Sequence, residues 1–330
     1  MAASSDRNGS ADMSGGFEVT KVGGVRIRPL RPDDAMALAQ SCFDSFTAFN
    51  NSVNIPPHLD FPSVEFTHGV IKHLATVPGM YAVVAEEESS GDLMGAGFMT
   101  SGDAYGIGPV WADNAYKGKG AGKAVMIALI AKAKSENAKS IRLNQISANV
   151  VSFSLYASLG FLPVECWQEL VGCVTEEKSL SASRSVGLQP LTGVHVRKME
   201  DADVKVCNEL HVKANGLGRT EEIETAIPAG NSWVLVRNEE IIAYTLGFDL
   251  MGHTVAQTEE ALVSLFTGVC LQHPDSSPHP TLHLPSKLYP RLLHWALAAK
   301  LKVSRSCWLM VIGFYQSPQH DMVYCPGVTL

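Results

Sequence analysis

The stretch Tyr116-Lys117-Gly118-Lys119-Gly120-Ala121-Gly122-Lys123 decides how this sequence is interpreted. It falls between a predicted strand, Tyr105 to Trp111, and a predicted helix from about Gly122 to Asn137. Alternating glycines at such a junction let the backbone approach a large polar group closely. The first turn of a helix has unpaired N–H groups and carries roughly half a positive charge, and three lysines add full charges around it. The stretch therefore predicts an anion site, most simply for a phosphate or pyrophosphate.

The spacing of the glycines excludes two common kinds of phosphate-binding loop. A Walker loop requires Gly, four residues, then Gly-Lys-Ser/Thr, but Lys117 stands at the first position and Ala124 at the last. A dinucleotide fingerprint requires a third glycine where Lys123 stands. What remains is basic-x-x-Gly-x-Gly, which resembles the pyrophosphate loop of the GNAT superfamily of N-acetyltransferases. On the loop alone, the alternative is a basic, Gly-rich turn without a ligand.

A second stretch, from Asn149 through Leu155-Tyr156 to Leu159-Gly160-Phe161, follows a predicted strand over Ser140 to Ser147. It resembles the other GNAT signature, an Asn before a short helix bearing Leu-Tyr and then Leu-Gly-Phe. A helix with an apolar stripe ended by glycine explains the same residues as core. The two motifs occur in the expected order, about 30 residues apart. Together they identify the N-terminal half as resembling a GNAT domain.

The chain is long enough for two domains, and its second half repeats the beginning of the first. The segment from Val194 to Asp203 is similar to that from Val25 to Asp34, and a second hairpin pattern begins at Ser232. We predict an α+β fold of two tandem GNAT-like domains, each a mixed, mostly antiparallel sheet flanked by helices. The predicted division is a disordered tail (1–24), an acetyl-CoA-binding domain (25–174), a polar linker (175–192) and a degenerate GNAT-like domain (193–330).

The repeat fails at the position of the phosphate loop. The segment from His253 to Ala261 has no glycine after Gly252, and Glu259 and Glu260 stand at a helix start. These acids favour the helix N-terminus but repel a pyrophosphate. The second half is therefore expected to lack a cofactor site.

The resemblance implies acetyl-CoA as cosubstrate and direct attack of an amine on the thioester. Tyr156 is the expected general acid for the departing thiolate, with a purely packing role as the alternative, and Asn149 is expected near the pantetheine. Backbone groups near Val110 are expected to contact the pantetheine, because Gly106, Gly108 and Pro109 predict a bulge in that strand. The expected cofactor-binding residues are Val110, Lys117, Gly118, Lys119, Gly120, Ala121, Gly122, Lys123 and Asn149.

The acceptor side of the site is less defined in the sequence. Helices before and after a Pro- and Asn-rich loop, residues 50–62, form one wall of the acceptor site in the family. Candidate lining residues there, each equally compatible with a solvated loop, are Phe46, Phe49, Asn50 and His58. No general base can be identified, since Asp103 is also explained by a solvated turn and Tyr105 is a candidate only by its position.

Composition limits the possible partners. Lys and Arg number 26 against 33 Asp and Glu, so the formal charge of −7 argues against nucleic acid and against a polybasic membrane contact. Seven scattered cysteines form no C-x-x-C pair, no metal-binding histidine spacing occurs, and no apolar run reaches 18 residues. We therefore expect a cytoplasmic protein without a metal.

Two functions follow from these patterns. The first is an acetyl-CoA-dependent N-acetyltransferase acting on a primary amine of a small molecule or peptide. The alternative is a non-catalytic acyl-CoA-binding or interaction module, favoured by the missing base and the degenerate second half.

Overall fold

The computed structural model describes residues 20–273, 280–319 and 322–327 of the 330-residue chain. Residues 1–19 of the predicted tail lie outside the described residues. The predicted disorder does not reach residue 24, because Thr20–Val22 form a strand. Within the described ranges, no helix combines the length and apolarity needed to cross a bilayer.

Among the described residues, the first half contains seven strands and four α-helices, and all of them except the strand at Thr20–Val22 follow the order that the sequence predicts. The strands are β1 (Thr20–Val22), β2 (Val25–Pro29), β3 (Tyr81–Glu87), β4 (Leu93–Met99), β5 (Ala104–Ala112), β6 (Ser140–Ile146) and β7 (Leu162–Val171). The helices are α1 (Ala35–Ser52), α2 (Val64–Leu74), α3 (Ala121–Ser135) and α4 (Val150–Ser158). Helix α3 packs on one face of the sheet through Val125 and Leu129, and α1 and α2 cover the other face around Phe98 and Trp111.

The second half repeats this order in part. Its helices are α5 (Glu176–Val186), α6 (Val204–Asn215), α7 (Thr220–Ala226), α8 (Glu259–Gln272) and α9 (Pro290–Ala298). Its strands are β8 (Val194–Lys198), β9 (Trp233–Arg237), β10 (Glu240–Thr245), β11 (Thr254–Ala256), β12 (Thr281–Leu284), β13 (Lys302–Gly313) and β14 (Val323–Cys325). Helix α5 lies in the segment predicted as a linker, where Thr175 caps its start and Gly187 ends it in the left-handed region.

The internal repeat extends to individual contacts. Arg28 Nη1 donates to Asp34 Oδ2 at 2.6 Å, and Arg197 Nη1 donates to Asp203 Oδ2 at 2.6 Å. In both places the aspartate also accepts from the backbone N–H three residues before it, at 2.7 and 2.8 Å. The similarity of the two segments in sequence therefore corresponds to the same strand-to-helix turn, built twice.

The predicted α+β architecture with two sheets is confirmed, but the sheets do not correspond one to each half. The larger sheet has nine strands in the order β1-β2-β3-β4-β5-β6-β13-β7-β12, and the smaller has the order β14-β11-β10-β9-β8. Strand β13 pairs with β6 on one side and β7 on the other, while β7 in turn lies between β13 and β12. Each half thus inserts a strand beside a strand of the other, across the predicted domain boundary.

A buried ionic network fixes the α1–α2 loop to these exchanged strands. Arg305 Nη1 donates to Asp60 Oδ1 at 2.6 Å, and Arg305 Nη2 donates to Glu169 Oε2 at 2.9 Å. His283 Nε2 lies 3.6 Å from the same carboxylate oxygen. Burial alone would raise the pKa of Glu169, but the neighbouring His283 and the charge of Arg305 lower that pKa to about 2. The network links strands β7 and β13 to a loop early in the chain.

Candidate active site

The loop before α3 is anchored at its start and open at its end. Asp113 N–H donates to the Met94 carbonyl at 2.8 Å, and Asp113 Oδ1 accepts from Ala115 N–H at 2.8 Å. The Tyr116 hydroxyl donates to Asp92 Oδ2 at 2.9 Å. These contacts fix the end of β5 to the β3–β4 hairpin, so the glycine run begins from a defined position.

The glycine run leaves the N-terminus of α3 accessible. Gly118 and Gly120 have φ of +79° and +89°, a region in which side chains other than glycine are strained. No heavy atom of the described residues, apart from chain neighbours, lies within 4 Å of the position that a Cβ would take at either glycine. Gly120 is the N-cap residue and no side chain caps the helix. The first-turn N–H groups of α3, including those of Ala121, Gly122 and Lys123, therefore lack the intrahelical partners that later turns have.

The charges around this terminus are positive. Lys119 Nζ lies 3.8 Å from Glu87 Oε1 and 4.7 Å from the centre of the Tyr116 ring. Lys117 and Lys123 are exposed and form no ion pair with any described residue. Two unpaired ammonium groups beside an uncapped helix N-terminus fit a pyrophosphate in charge and in hydrogen-bond donors.

Strands β5 and β6 diverge next to this loop. They pair in parallel over three positions only, ending where Gly106 lies beside Arg142. Beyond Gly106 strand β5 remains paired with β4, with a register shift between the Gly97–Val110 and Met99–Ile107 pairs. The predicted bulge around Gly108 is thus confirmed. From Ile107 onward, the edge of β5 toward β6 has no partner strand among the described residues, and Val110 is half-buried there. We call the space beside this unpaired edge the gap.

Asn149 and Tyr156 lie on α4, which follows β6. Asn149 Oδ1 caps the helix by accepting from Ser152 N–H at 3.1 Å, so this side chain has a structural role that the sequence did not predict. The Tyr156 ring is partly exposed and packs edge-on against Phe161 at 6.2 Å. Burial raises the pKa of Tyr156 to about 12, although the neighbouring Ser152 opposes this shift. The phenol is therefore protonated at neutral pH and can act as a donor.

Other sequence candidates have structural partners. Asn50 is fully buried and donates through Nδ2 to Asp60 Oδ2 at 3.2 Å within the α1–α2 loop. Phe46 packs on Phe61 at 4.9 Å, and His58 stacks on Phe43. These contacts organise the α1–α2 loop, and Phe49 is half-buried on α1.

The two candidate bases, Asp103 and Tyr105, lie at the start of β5, away from the glycine run. Asp103 Oδ1 is 3.5 Å from Lys139 Nζ, and Asp103 Oδ2 accepts from Gly218 N–H at 3.1 Å. The Tyr105 hydroxyl donates to Glu136 Oε2 at 3.1 Å. Both residues are at the start of the strand, whereas the glycine run follows its end.

The corresponding helix in the second half, α8, has a different N-terminus. Thr258 caps it by accepting from Ala261 N–H at 3.1 Å. Glu259 and Glu260 occupy its first turn, and Arg291 lies 2.7 and 3.9 Å from their carboxylates. One of the first-turn donors is therefore capped in α8, and acids take the place of the lysines.

Comparison with known protein families identifies the family of a segment in the first half. The sequence profile of the Acetyltransferase (GNAT) family matches residues 46–161, a segment that contains both motifs. Residues 46–161 belong to the GNAT acetyltransferase family. The GNAT family uses acetyl-CoA, and the uncapped α3 terminus, the open glycine run and the two unpaired lysines fit that cosubstrate. A comparison with curated proteins found no match.

Solved structures share the fold over both halves. A candidate acetyltransferase from Pyrococcus horikoshii matches with a TM-score of 0.65 and 18% identity, over 91% of this chain and 93% of its own. A GCN5-related N-acetyltransferase from Sphaerobacter thermophilus matches with a TM-score of 0.58 and 14% identity, over 90% and 98%. At these identities the likeness establishes the fold, including the half that lies outside the GNAT profile.

Proposed function

We propose that the protein is an acetyl-CoA-dependent N-acetyltransferase that acts on a primary amine of a small molecule or peptide. The observation that carries this proposal is the uncapped, lysine-flanked N-terminus of α3 at the open end of the gap between β5 and β6. Among the described helices, α3 alone has this arrangement at the position of the phosphate loop, since α8 is capped and acidic there. We therefore propose one active site per chain.

The residues of the first half would divide the task as follows. The N–H groups of Gly118 to Lys123 and the ammonium groups of Lys117, Lys119 and Lys123 would hold the pyrophosphate. The edge of β5 near Val110 would orient the pantetheine arm, and the Nδ2 group of Asn149 would be free to donate to it. Acetyl-CoA supplies an acyl group activated as a thioester.

Acetyl transfer then requires little covalent chemistry from the protein. A carbon–nitrogen bond to the acceptor forms, the carbon–sulfur bond breaks, the amine loses one proton and the thiolate gains one. Tyr156 is protonated at neutral pH, so it would donate to the departing sulfur. Positioning of the amine in the gap supplies much of the remaining rate. The cytoplasmic location expected from the sequence stays a prediction.

The alternative is a non-catalytic acyl-CoA-binding module, and the lack of an evident base at the end of β5 favours it. The two are separated by measuring CoA release from acetyl-CoA with a panel of polyamines, aralkylamines, amino acids and peptides. In the enzyme, Tyr156→Phe lowers kcat by about a hundredfold, within the range of general acid catalysis, and leaves the Kd for acetyl-CoA nearly unchanged. Tyr105→Phe is the matched control, since its hydroxyl bonds to Glu136 at the other end of β5. Acetyl-CoA binding without amine-dependent CoA release would establish the binding module instead.

A further inference from the structure

A group of buried polar side chains lies where the two halves meet. We call it the buried arginine cluster, and its members come from β6, α6, the start of α7 and β14. They are Arg142, His211, Asn215, Arg219, Glu222 and Tyr324. Five of them are between 0% and 7% exposed, whereas Glu222 keeps a quarter of its side chain accessible and marks the side nearest to solvent.

The members are held close together by direct contacts. Arg142 Nη1 donates to Asn215 Oδ1 at 3.2 Å, across the two halves of the chain. Arg219 Nε lies 3.0 Å from Glu222 Oε2. The rings of His211 and Tyr324 are 5.4 Å apart, and the ring of His211 lies 5.0 Å from that of His253, whose Nδ1 is 3.1 Å from Glu222 Oε1. The cluster is therefore one site and not a set of separate side chains.

The cluster has more donors than its own acceptors satisfy. Five of its donors are buried without a hydrogen-bond partner among the described residues, namely Arg142 Nη2, Asn215 Nδ2, Arg219 Nε, Arg219 Nη2 and the Tyr324 hydroxyl. His211 Nε2 and the acceptor Glu222 Oε2 have no hydrogen-bond partner there either, so the donors outnumber the acceptors left to them. A buried donor without a partner destabilises a fold, so native proteins rarely leave several of them in one place. Each of these donors can bind an oxygen atom of a ligand.

The charge of the cluster is also unbalanced. Arg142 and Arg219 contribute two positive charges against the one carboxylate of Glu222, which His253 Nδ1 also contacts at 3.1 Å. Burial lowers the pKa of Arg142, and the neighbouring Arg219 lowers it further. His211 adds no further positive charge, because burial holds its pKa well below the usual value and keeps the ring neutral. One buried positive charge is left over, which a bound anion would neutralise.

The position of Arg142 relates the cluster to the proposed active site. Arg142 lies beside Gly106 at the last parallel pair, where β5 and β6 begin to diverge. Its neighbours Ile141 and Leu143 belong to the core under α3, so the alternation of a strand places Arg142 on the opposite face of the sheet. If α3 holds the cosubstrate on one face, an acceptor reaches the gap from the other face, where the cluster lies.

We propose that the buried arginine cluster binds the carboxylate of the acetyl acceptor, which is a primary amine of amino-acid size that carries a free carboxylate. The inference rests on the proposed function for the role of the amine. The carboxylate accepts from Arg142, Arg219, Asn215 and Tyr324, and bidentate contact with a guanidinium fixes its direction. The amino group is then directed along the face of β6 toward the gap.

The test compares acceptors that differ only in the carboxylate. Initial rates of CoA release are measured with each L-amino acid and with its C-terminal amide. The wild-type protein should prefer at least one free acid over its amide by about tenfold or more in kcat/KM, the range expected for a hydrogen-bonded charge. Tyr324→Phe and Arg219→Gln should each reduce this acid-to-amide ratio toward one.

Stability separates recognition from folding. The Tyr324 hydroxyl has no partner among the described residues, so Tyr324→Phe should leave the Tm unchanged or raise it. Tyr244→Phe is the matched control, since its hydroxyl bonds to His253 Nε2 at 2.8 Å and is buried. This control should lower the Tm while it keeps the acid-to-amide ratio.

A binding measurement keeps the inference independent of turnover. Thermal shifts are recorded with the same acids and amides, and with acetate and sulfate as simple anions. A shift with an amino acid that its amide does not give, and that Arg219→Gln removes, supports the site even if no acetyl transfer is found, in which case only the proposed function fails. Equal effects of acid and amide in both assays would overturn the inference. A thermal shift with acetate or sulfate that is at least as large as the shift with any amino acid would also overturn the inference.

Discussion

Gly120→Asp is the most informative single change in the proposed cosubstrate site. Gly120 has φ of +89° and ψ of 0°, and apart from chain neighbours no described heavy atom lies within 4 Å of a Cβ placed there. The cost to folding is therefore limited to the left-handed backbone, about 1–2 kcal/mol. The new carboxylate would lie where the pyrophosphate is expected. At about 5 Å and an effective dielectric constant near 20, each pair of like charges costs roughly 3 kcal/mol. The Kd for acetyl-CoA should rise by more than about a hundredfold.

The matched control is Gly187→Asp at the end of α5. Gly187 has φ of +73° and the same open surroundings, but it belongs to no proposed site. Gly120→Asp should lose less free energy of unfolding in urea than the control, because its carboxylate lies at a helix N-terminus and that of Gly187→Asp at a helix C-terminus. Only Gly120→Asp should lose acetyl-CoA binding in calorimetry. The reasoning is refuted if Gly120→Asp binds acetyl-CoA like the wild type, or if the control loses as much affinity.

Three further outcomes are expected. Thr258→Ala removes the cap of α8 and should lower the free energy of unfolding by about 1 kcal/mol in urea titration. The affinity for acetyl-CoA should not change. Weaker binding of acetyl-CoA would place a ligand at α8. Because burial raises the pKa of Tyr156 to about 12, its phenol stays protonated between pH 7 and 9. The pH profile of kcat should therefore show no falling limb in that range. Such a limb would contradict the role of Tyr156 as general acid. Arg305→Met leaves Asp60 and Glu169 buried without their partner and should cost about 3–5 kcal/mol. The pKa of Glu169 is lowered in the fold to about 2, so its stabilising effect is complete above about pH 4.5 and is lost as pH falls toward 2. A free energy of unfolding in urea that stays constant over this acid range would contradict this.

The elements of the first half were predictable because their signals are local. The glycine run, the caps and the strand alternation specify α3, α4 and the strands around them within one or two residues. The bulge in β5 was predictable for the same reason, since Gly108 and Pro109 interrupt its pattern. The helix α5 was missed although Thr175 and Gly187 carry cap signals, because its serine-rich composition is typical of a linker.

The strand exchange and the buried arginine cluster have no such local signal. Strand β13 contains a continuous apolar run from Cys307 to Ile312, which indicates a strand buried on both faces but is compatible with any neighbour. Nothing within it therefore indicates pairing with β6, more than 150 residues earlier. Arg142 and Asn144 alternate with apolar residues and are therefore expected to face water. Only the packing of the second half on that face buries Arg142 and turns a solvated position into a candidate binding residue.

The central claim is a single acetyl-CoA site, located at α3. A calorimetric titration of the full-length protein with acetyl-CoA tests it most directly, because it gives stoichiometry as well as affinity. The structure predicts one site per chain. Two sites per chain would contradict the assignment of α8 as a capped, acidic terminus, and the absence of any binding would contradict the cosubstrate site itself.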